Sequence, residues 1–370
     1  MTQAPGFWRG ILLVASLELR QRLRSKTLWI LAIVWFCIID VVTGAMWFIL
    51  TLSSTAYDES FDAYPLFSII VYFVLLFGTL VAPAISAGSI SAERSGGTLA
   101  TTQVTLLGTW SILLGKALAA WATGLALLVV AAPFVVLSVA LSRAEPGQLL
   151  LALLALALQL ALFTAMGVGL SALISSSLFA IVISYLLVAL LSIGTLIAFA
   201  LAVGVSTRYV EVEYRTFSNA YWEAYWKCDD GDIACYEAVP VECVTETMTT
   251  SISSTDRVWW LLAMNPYVVV GDMVAGNPDI NRISDDLFGI VSVSVRSLQV
   301  LDRRVDYWSD CPTAPLHVTT DADYDPYQGT FPAWWIGLPL QTLLAAGLLL
   351  GGYPRLKTPA AKLPKGSRIA

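Results

Sequence analysis

Few residues in this chain of 370 have the type and spacing for bond-making chemistry. A single histidine, His317, leaves no second imidazole for a metal or a proton relay. No Gly-x-x-x-x-Gly-Lys-[Ser/Thr] loop is present to cradle a nucleotide phosphate; the nearest match, Gly115-Lys116, is followed by Ala117 inside an apolar run. His-Glu-x-x-His and Gly-x-Ser-x-Gly are absent, so Ser-His-Asp catalysis would rest on His317 alone. Intramembrane aspartyl proteolysis needs two embedded carboxylates sharing a proton, and only Asp40 stands mid-run. The chain is therefore expected to be no enzyme and to hold no metal. The polar residues left to explain are Asp40 and Gln159 in apolar runs, the charged segment around Glu93-Arg94, and four cysteines: Cys228, Cys235, Cys243 and Cys311.

The elements that position them are membrane helices. Apolar residues make up 57% of the chain and charged ones 13%, about half the ~25% of soluble domains, and mean hydropathy is +0.72. This composition excludes disorder and a soluble enzyme. A net charge of −6 gives no basic field for nucleic acid. Six apolar runs are long enough to cross the ~30 Å hydrocarbon layer of a lipid bilayer: Leu28 to Leu50, Leu66 to Ile85, Ile112 to Leu141, Leu149 to Ile174, Phe179 to Val205 and Trp334 to Tyr353. They are expected to be helices, because an open sheet would leave backbone groups unpaired in lipid. The fold class is an all-α polytopic membrane protein with six transmembrane helices. Residues 1–205 form an N-terminal part with five of them, 206–332 a small disulfide-bonded extracellular domain, and 333–370 the sixth helix with a basic tail.

Trp8 to Arg24 is amphipathic, with Trp8, Ile11, Leu12, Leu19 and Leu23 on one face and Arg9, Arg20 and Arg24 on another. It reads as an interfacial helix, or more plainly as a basic flank orienting the first span, and not as a cleavable signal peptide. Five basic residues from Arg9 to Lys26 precede the first span and five from Arg355 to Arg368 come after the sixth, whereas Asp58, Glu59 and Asp62 come after the first. The positive-inside rule then puts both termini in the cytoplasm.

Residues 206–332 carry 20 acidic against eight basic residues, a net charge of −12, and four of the five cysteines. An even count in an exported segment implies two disulfides, with three pairings open. Spacings of seven and eight suit a zinc knuckle poorly. Cys37 reads as a packed apolar residue. The apolar stretch Val258 to Val274 is broken at Asn265-Pro266 and too short to span. It is either a re-entrant segment or a core helix of the outer domain.

Asp40 at mid-bilayer costs about 2.5–3.5 kcal/mol on insertion scales if ionised. It should face a protein interior or water, with Thr43, Gln159, Ser184 and Thr195 as polar neighbours. Asp40 and Gln159 are candidates for a substrate path or gate; the plain alternative for Asp40 is an interhelical hydrogen bond. Lys116, at the start of the third span, is expected to snorkel to lipid phosphates.

Between spans two and three the chain reads Glu93-Arg94, then Gly97-Thr98-Leu99, then Gly115-Lys116 opening the next span. A charged segment here projects from the membrane, Gly96 and Gly97 suit a helix end, and Thr98 can cap the next helix. In these motifs and in its order of parts the chain resembles the permease subunits of ABC type-2 exporters, in a bacterial form with an enlarged cysteine-containing extracellular domain. Ala100-Thr101-Thr102-Gln103 departs from the acid that often continues the family pattern. The resemblance implies a cytoplasmic ABC ATPase subunit as partner, holding ATP and Mg, with no cofactor on this chain. It implies a second permease subunit, a homo- or heterodimer in the lipid bilayer of a bacterial plasma membrane. It also makes Glu93, Arg94, Gly96, Gly97 and Thr98 the ATPase-coupling residues. The apolar span surface points to an amphipathic or hydrophobic substrate, a drug, lipid or peptide. The alternative is a membrane sensor or signalling subunit whose extracellular domain binds a ligand.

Overall fold

A computed structural model describes residues 6–57, 64–95, 108–142, 144–229, 232–275, 286–300 and 327–356. The N-terminal segment is α1 (Phe7–Arg24), followed by α2 (Lys26–Tyr57), α3 (Tyr64–Ser86) and the one-turn α4 (Ser91–Ser95). Three long helices come next: α5 (Thr109–Ser142), α6 (Pro146–Leu173) and α7 (Ser177–Val205). Two short helices, α8 (Asn219–Tyr225) and α9 (Ile233–Ala238), lie beyond them in the chain. Among the described residues six helical stretches are long and apolar enough to cross a membrane, and they fall on the six runs expected from hydropathy. At 1.5 Å per residue α5 is about 51 Å long, and Pro133 lies inside the unbroken helix. Pro146 opens α6 where no N–H is required, and Gln148 Oε1 accepts the Glu145 N–H at 3.2 Å.

The chain divides into two units. The first comprises Met1–Leu196, Leu262–Ser292 and Pro332–Ala370. Its core joins Trp35 and Ile39 of α2 to Leu66 and Ile70 of α3, Leu156 of α6 and Phe288. Trp35 stacks on Phe77 with ring centroids 3.6 Å apart and donates its indole N–H to Leu127 O at 3.2 Å. α1 packs along α5, and α3 packs on α5 and α6. The side of α1 that meets α5 is Gly10, Ile11, Val14 and Ala15, while Trp8 and Leu12 are exposed. The apolar residues of α1 are thus shared between a protein face and a lipid-accessible face.

The apolar stretch broken at Asn265-Pro266 folds as two short helices, α10 (Trp260–Ala263) and α11 (Pro266–Ala275). α11 is buried along most of its length and groups with the spanning helices. It is followed by α12 (Leu287–Ser297) and α13 (Trp334–Leu356), the sixth span. A π-helical turn, Leu190–Gly194, interrupts α7. Ser192 O accepts from Asn265 Nδ2 there at 2.6 Å, and Thr195 Oγ1 accepts at 3.0 Å. A local distortion in one helix is thereby matched to the break ahead of another.

The second unit, Ile197–Leu261 and Val293–Phe331, contains a two-stranded antiparallel sheet. Strand β1 (Thr207–Phe217) pairs with β2 (Cys243–Ser253), in register from Thr207↔Ser253 to Phe217↔Cys243. An all-α class did not anticipate it. The cause lies in the alternating run Arg208-Tyr209-Val210-Glu211-Val212-Glu213 and the threonine-rich Thr245 to Thr250, which favour extended backbone. α8 and α9 lie between the strands and are tied by a Cys228–Cys235 disulfide. Cys243 is also disulfide-bonded; Cys311 and His317 lie outside the described residues. Cys37 is a free thiol exposed on α2, not packed in a core, because it sits on the side of that helix opposite Trp35 and Ile39.

Candidate functional site

Among the described residues the densest polar constellation lies where α4 meets the end of the bundle at which α13 stops. The Ser171 hydroxyl of α6 accepts from the backbone N–H of Ile90 and of Ser91, both at 3.0 Å, which fixes the start of α4. The next turn carries Glu93 and Arg94. Glu93 Oε1 accepts from Lys116 Nζ at 2.6 Å, and the same ammonium bonds to Glu18 Oε1 of α1. Glu18 Oε2 in turn faces Arg22 Nε at 3.8 Å, and Arg22 donates to Ile85 O at the end of α3 at 3.0 Å. Arg22, Glu18, Lys116 and Glu93 therefore form a chain of alternating charge across α1, α5 and α4. Burial pulls the Arg22 guanidinium below its ordinary range, and Glu18 opposes that shift.

Lys116 is not a snorkelling lysine. Its side chain is only 3% exposed, and two carboxylates have replaced the lipid phosphates expected of it. The preceding Gly115 has its own reason. A Cβ there would stand 2.7 Å from Val14 Cβ and 2.9 Å from Ile11 O, so only glycine lets α1 lie this close to α5. Close approach at Gly115 is what brings Glu18 within reach of Lys116.

Arg94 points elsewhere. It donates to Ala172 O at 3.3 Å and to Arg355 O at 3.4 Å, while Arg355 donates to Leu173 O. Two guanidinium groups thus satisfy carbonyls at the ends of α6 and α13, where the helix dipole also favours positive charge. Both charged residues of α4 are engaged within the chain. Gly96, Gly97 and Thr98 lie outside the described residues.

The two candidates for a substrate path are not brought together. Gln159 is buried; its amide donates to Gln341 Oε1 at 2.9 Å, and Gln341 donates to Met264 O at 3.0 Å. It also lines a narrow apolar cavity with Trp35, Phe77, Gly78 and Phe163. Asp40 lies on the uncovered side of α2, not in an interior. None of its four expected neighbours reaches it. Thr43, Ser184 and Thr195 each bond a carbonyl one turn back in their own helix, at 2.7, 2.8 and 2.9 Å. Serine and threonine in apolar helices commonly satisfy themselves this way.

A second polar cluster, at the opposite end of the bundle, was not singled out from the sequence. Asp272 of α11 is fully buried. Its Oδ1 accepts from Ser292 Oγ at 2.6 Å and its Oδ2 from the N–H of Ala333 at 2.5 Å and of Trp334 at 3.4 Å. The carboxylate caps the start of α13. Asp286, just before α12, is 7% exposed. Burial pushes its carboxyl above the ordinary range, against hydrogen bonds from Ser68 and from the backbone at Leu287, Phe288 and Gly289. The available signal was Asp272 inside an otherwise apolar α11.

Among the described residues no three His, Cys, Asp or Glu side chains gather to hold a metal ion. The described chemistry is electrostatic and mechanical: a short charged turn bonded to the ends of longer helices. No curated protein matches the chain. Residues 12–225, more than half of the 370, match the family described as ABC-2 family transporter protein. The first five spans and α4 fall in the matched region, and the chain belongs to the ABC-2 transporter family as a membrane subunit without an ATPase domain.

Proposed function

We propose that this chain is the permease of an ATP-driven exporter that moves an amphipathic or hydrophobic substrate (a drug, lipid or peptide) outward. ABC-2 permeases generally work with ATPase subunits. In this reading a separate cytoplasmic ATPase holds ATP and Mg, and a second permease subunit completes the path. The bundle end bearing α1 and α4 faces the cytoplasm, as the basic residues before α2 and Arg355 favour. The segment between α7 and α13, residues 206–332, lies outside, where the Cys228–Cys235 bond suits the oxidising side of a bacterial plasma membrane.

The observation that carries this reading is the α4 node. One helical turn is bonded through Ser171 and Arg94 to α6, and through Glu93 and Lys116 to α5 and α1. A displacement of that turn by a bound ATPase is passed to these helices together, because each link is a directed polar bond. Glu93 and Arg94 then transmit motion, while the adjoining segment with Gly96, Gly97 and Thr98 meets the ATPase.

Purification from native membranes in mild detergent tests this. A stoichiometric subunit with a phosphate loop is expected to co-elute. The E93A/R94A double variant is expected to keep that subunit but to lose ATP-dependent transport. If the subunit is lost, the two charges themselves form the docking surface. If wild-type protein carries no such subunit and changes a cellular output without net flux, the sensor reading replaces export.

A further inference from the structure

We infer that the uncovered face of α2 binds a cationic amphiphile, with Asp40 as its counter-charge. The inference rests on the export reading and narrows its substrate class. Asp40 lies 14 residues beyond Lys26 in a span running to Leu52, which places it about 21 Å along the helix, near the middle of the hydrocarbon. It is exposed, and no hydrogen bond or ion pair engages it among the described residues. Around it Ile33, Cys37 and Val41 line an open apolar groove. One turn further on, a Cβ added at Gly44 would meet open space.

An ionisable side chain at this depth does not face plain lipid, so something covers it. The charge balance of the spans says what. Their basic residues are Lys26, Arg94, Lys116 and Arg355, all at or near helix ends. Lys116 is taken by Glu18 and Glu93, and Arg94 and Arg355 by carbonyls. A second copy of the chain therefore brings no cation to the level of Asp40, only another Asp40. The complementary occupant is a molecule with an apolar body for the groove and one positive charge for the carboxylate.

The test uses the full-length chain in lipid nanodiscs, with empty discs as the blank. The probe is tetraphenylphosphonium, measured by equilibrium dialysis, and its control is tetraphenylborate, alike in shape but negative. The expected result is that wild type and D40E bind the cation, D40N binds it about tenfold or more weakly, and the borate shows no dependence on residue 40. Equal affinity of wild type and D40N overturns the inference. So does complete Cys37-to-Cys37 crosslinking in the membrane that the probe does not slow, since a second copy then covers this face. Neither result touches the ATPase partnership, which stands or falls on co-purification.

Discussion

The two ends of the helical bundle both hold carboxylates, half-buried at one and buried at the other, and they stabilise them by different means. At the end bearing α4, Glu18 and Glu93 share the ammonium of Lys116. At the other end, Asp272 is held by a serine hydroxyl and by the N–H groups that open α13. The first arrangement depends on counting charges: two acids and a base from three separate helices. The second is a cap made of fixed dipoles. A joint between moving parts suits the first, since a full charge pulls over distance and tolerates changes in angle. An anchor suits the second, since hydrogen bonds to backbone N–H hold one geometry.

The largest effect should come from stripping the charge count. Replacing both acids, E18Q/E93Q, leaves the Lys116 ammonium buried without a counter-ion, a loss of about 3–5 kcal/mol. It should appear as a large fall in melting temperature in detergent, with either single variant losing far less because one carboxylate remains. A melting temperature unchanged in the double variant would mean that the triad holds nothing together. Next comes the distance between α1 and α5. G115L forces α1 off α5 by overpacking, at about 1–3 kcal/mol, and takes Glu18 away from Lys116. Adding E18Q to G115L should then cost little more, which a double-mutant cycle reads directly.

The smallest effect belongs to the opposite end. Asp286 has its carboxyl pushed above the ordinary range by burial, so the folded chain holds this proton more tightly than the unfolded one. Its contribution to stability is full below the ordinary carboxylate range and is lost as pH rises through the raised value. Thermal melts from about pH 4 to about pH 8 should show D286N with a flatter profile than wild type and a relative gain at the upper end. A parallel profile would assign the pH dependence elsewhere.

Much of this architecture is written in hydropathy. The spans are legible because each of the six stretches must supply its own apolar surface along its whole length. The break at Asn265-Pro266 is legible too, but its acceptor is not. Ser192 O becomes available only through a π-turn 73 residues earlier, and no local pattern announces that turn. Lys116 shows the same limit. Its position near a span end suggests lipid phosphate, and the partner that overrides this is Glu18, 98 residues away on another helix. Glu93 and Arg94 stood out as charges in an apolar context, yet their types alone do not tell a docking surface from an internal joint. Asp40 was visible as an anomaly. That it faces outward emerges only once Trp35, Ile39 and Thr43 are seen to occupy the inner side of α2.

The close seat of α1 on α5 at Gly115 has a mechanical corollary. A surface helix fastened to one span cannot stay behind when that span turns. Trp8, Leu12, Leu13 and Leu17, all exposed on α1, would be dragged through the headgroup layer like the blade of an oar. If the proposed export turns α5, the viscosity of that layer adds to the work of each stroke, and the surrounding lipids help to set its speed.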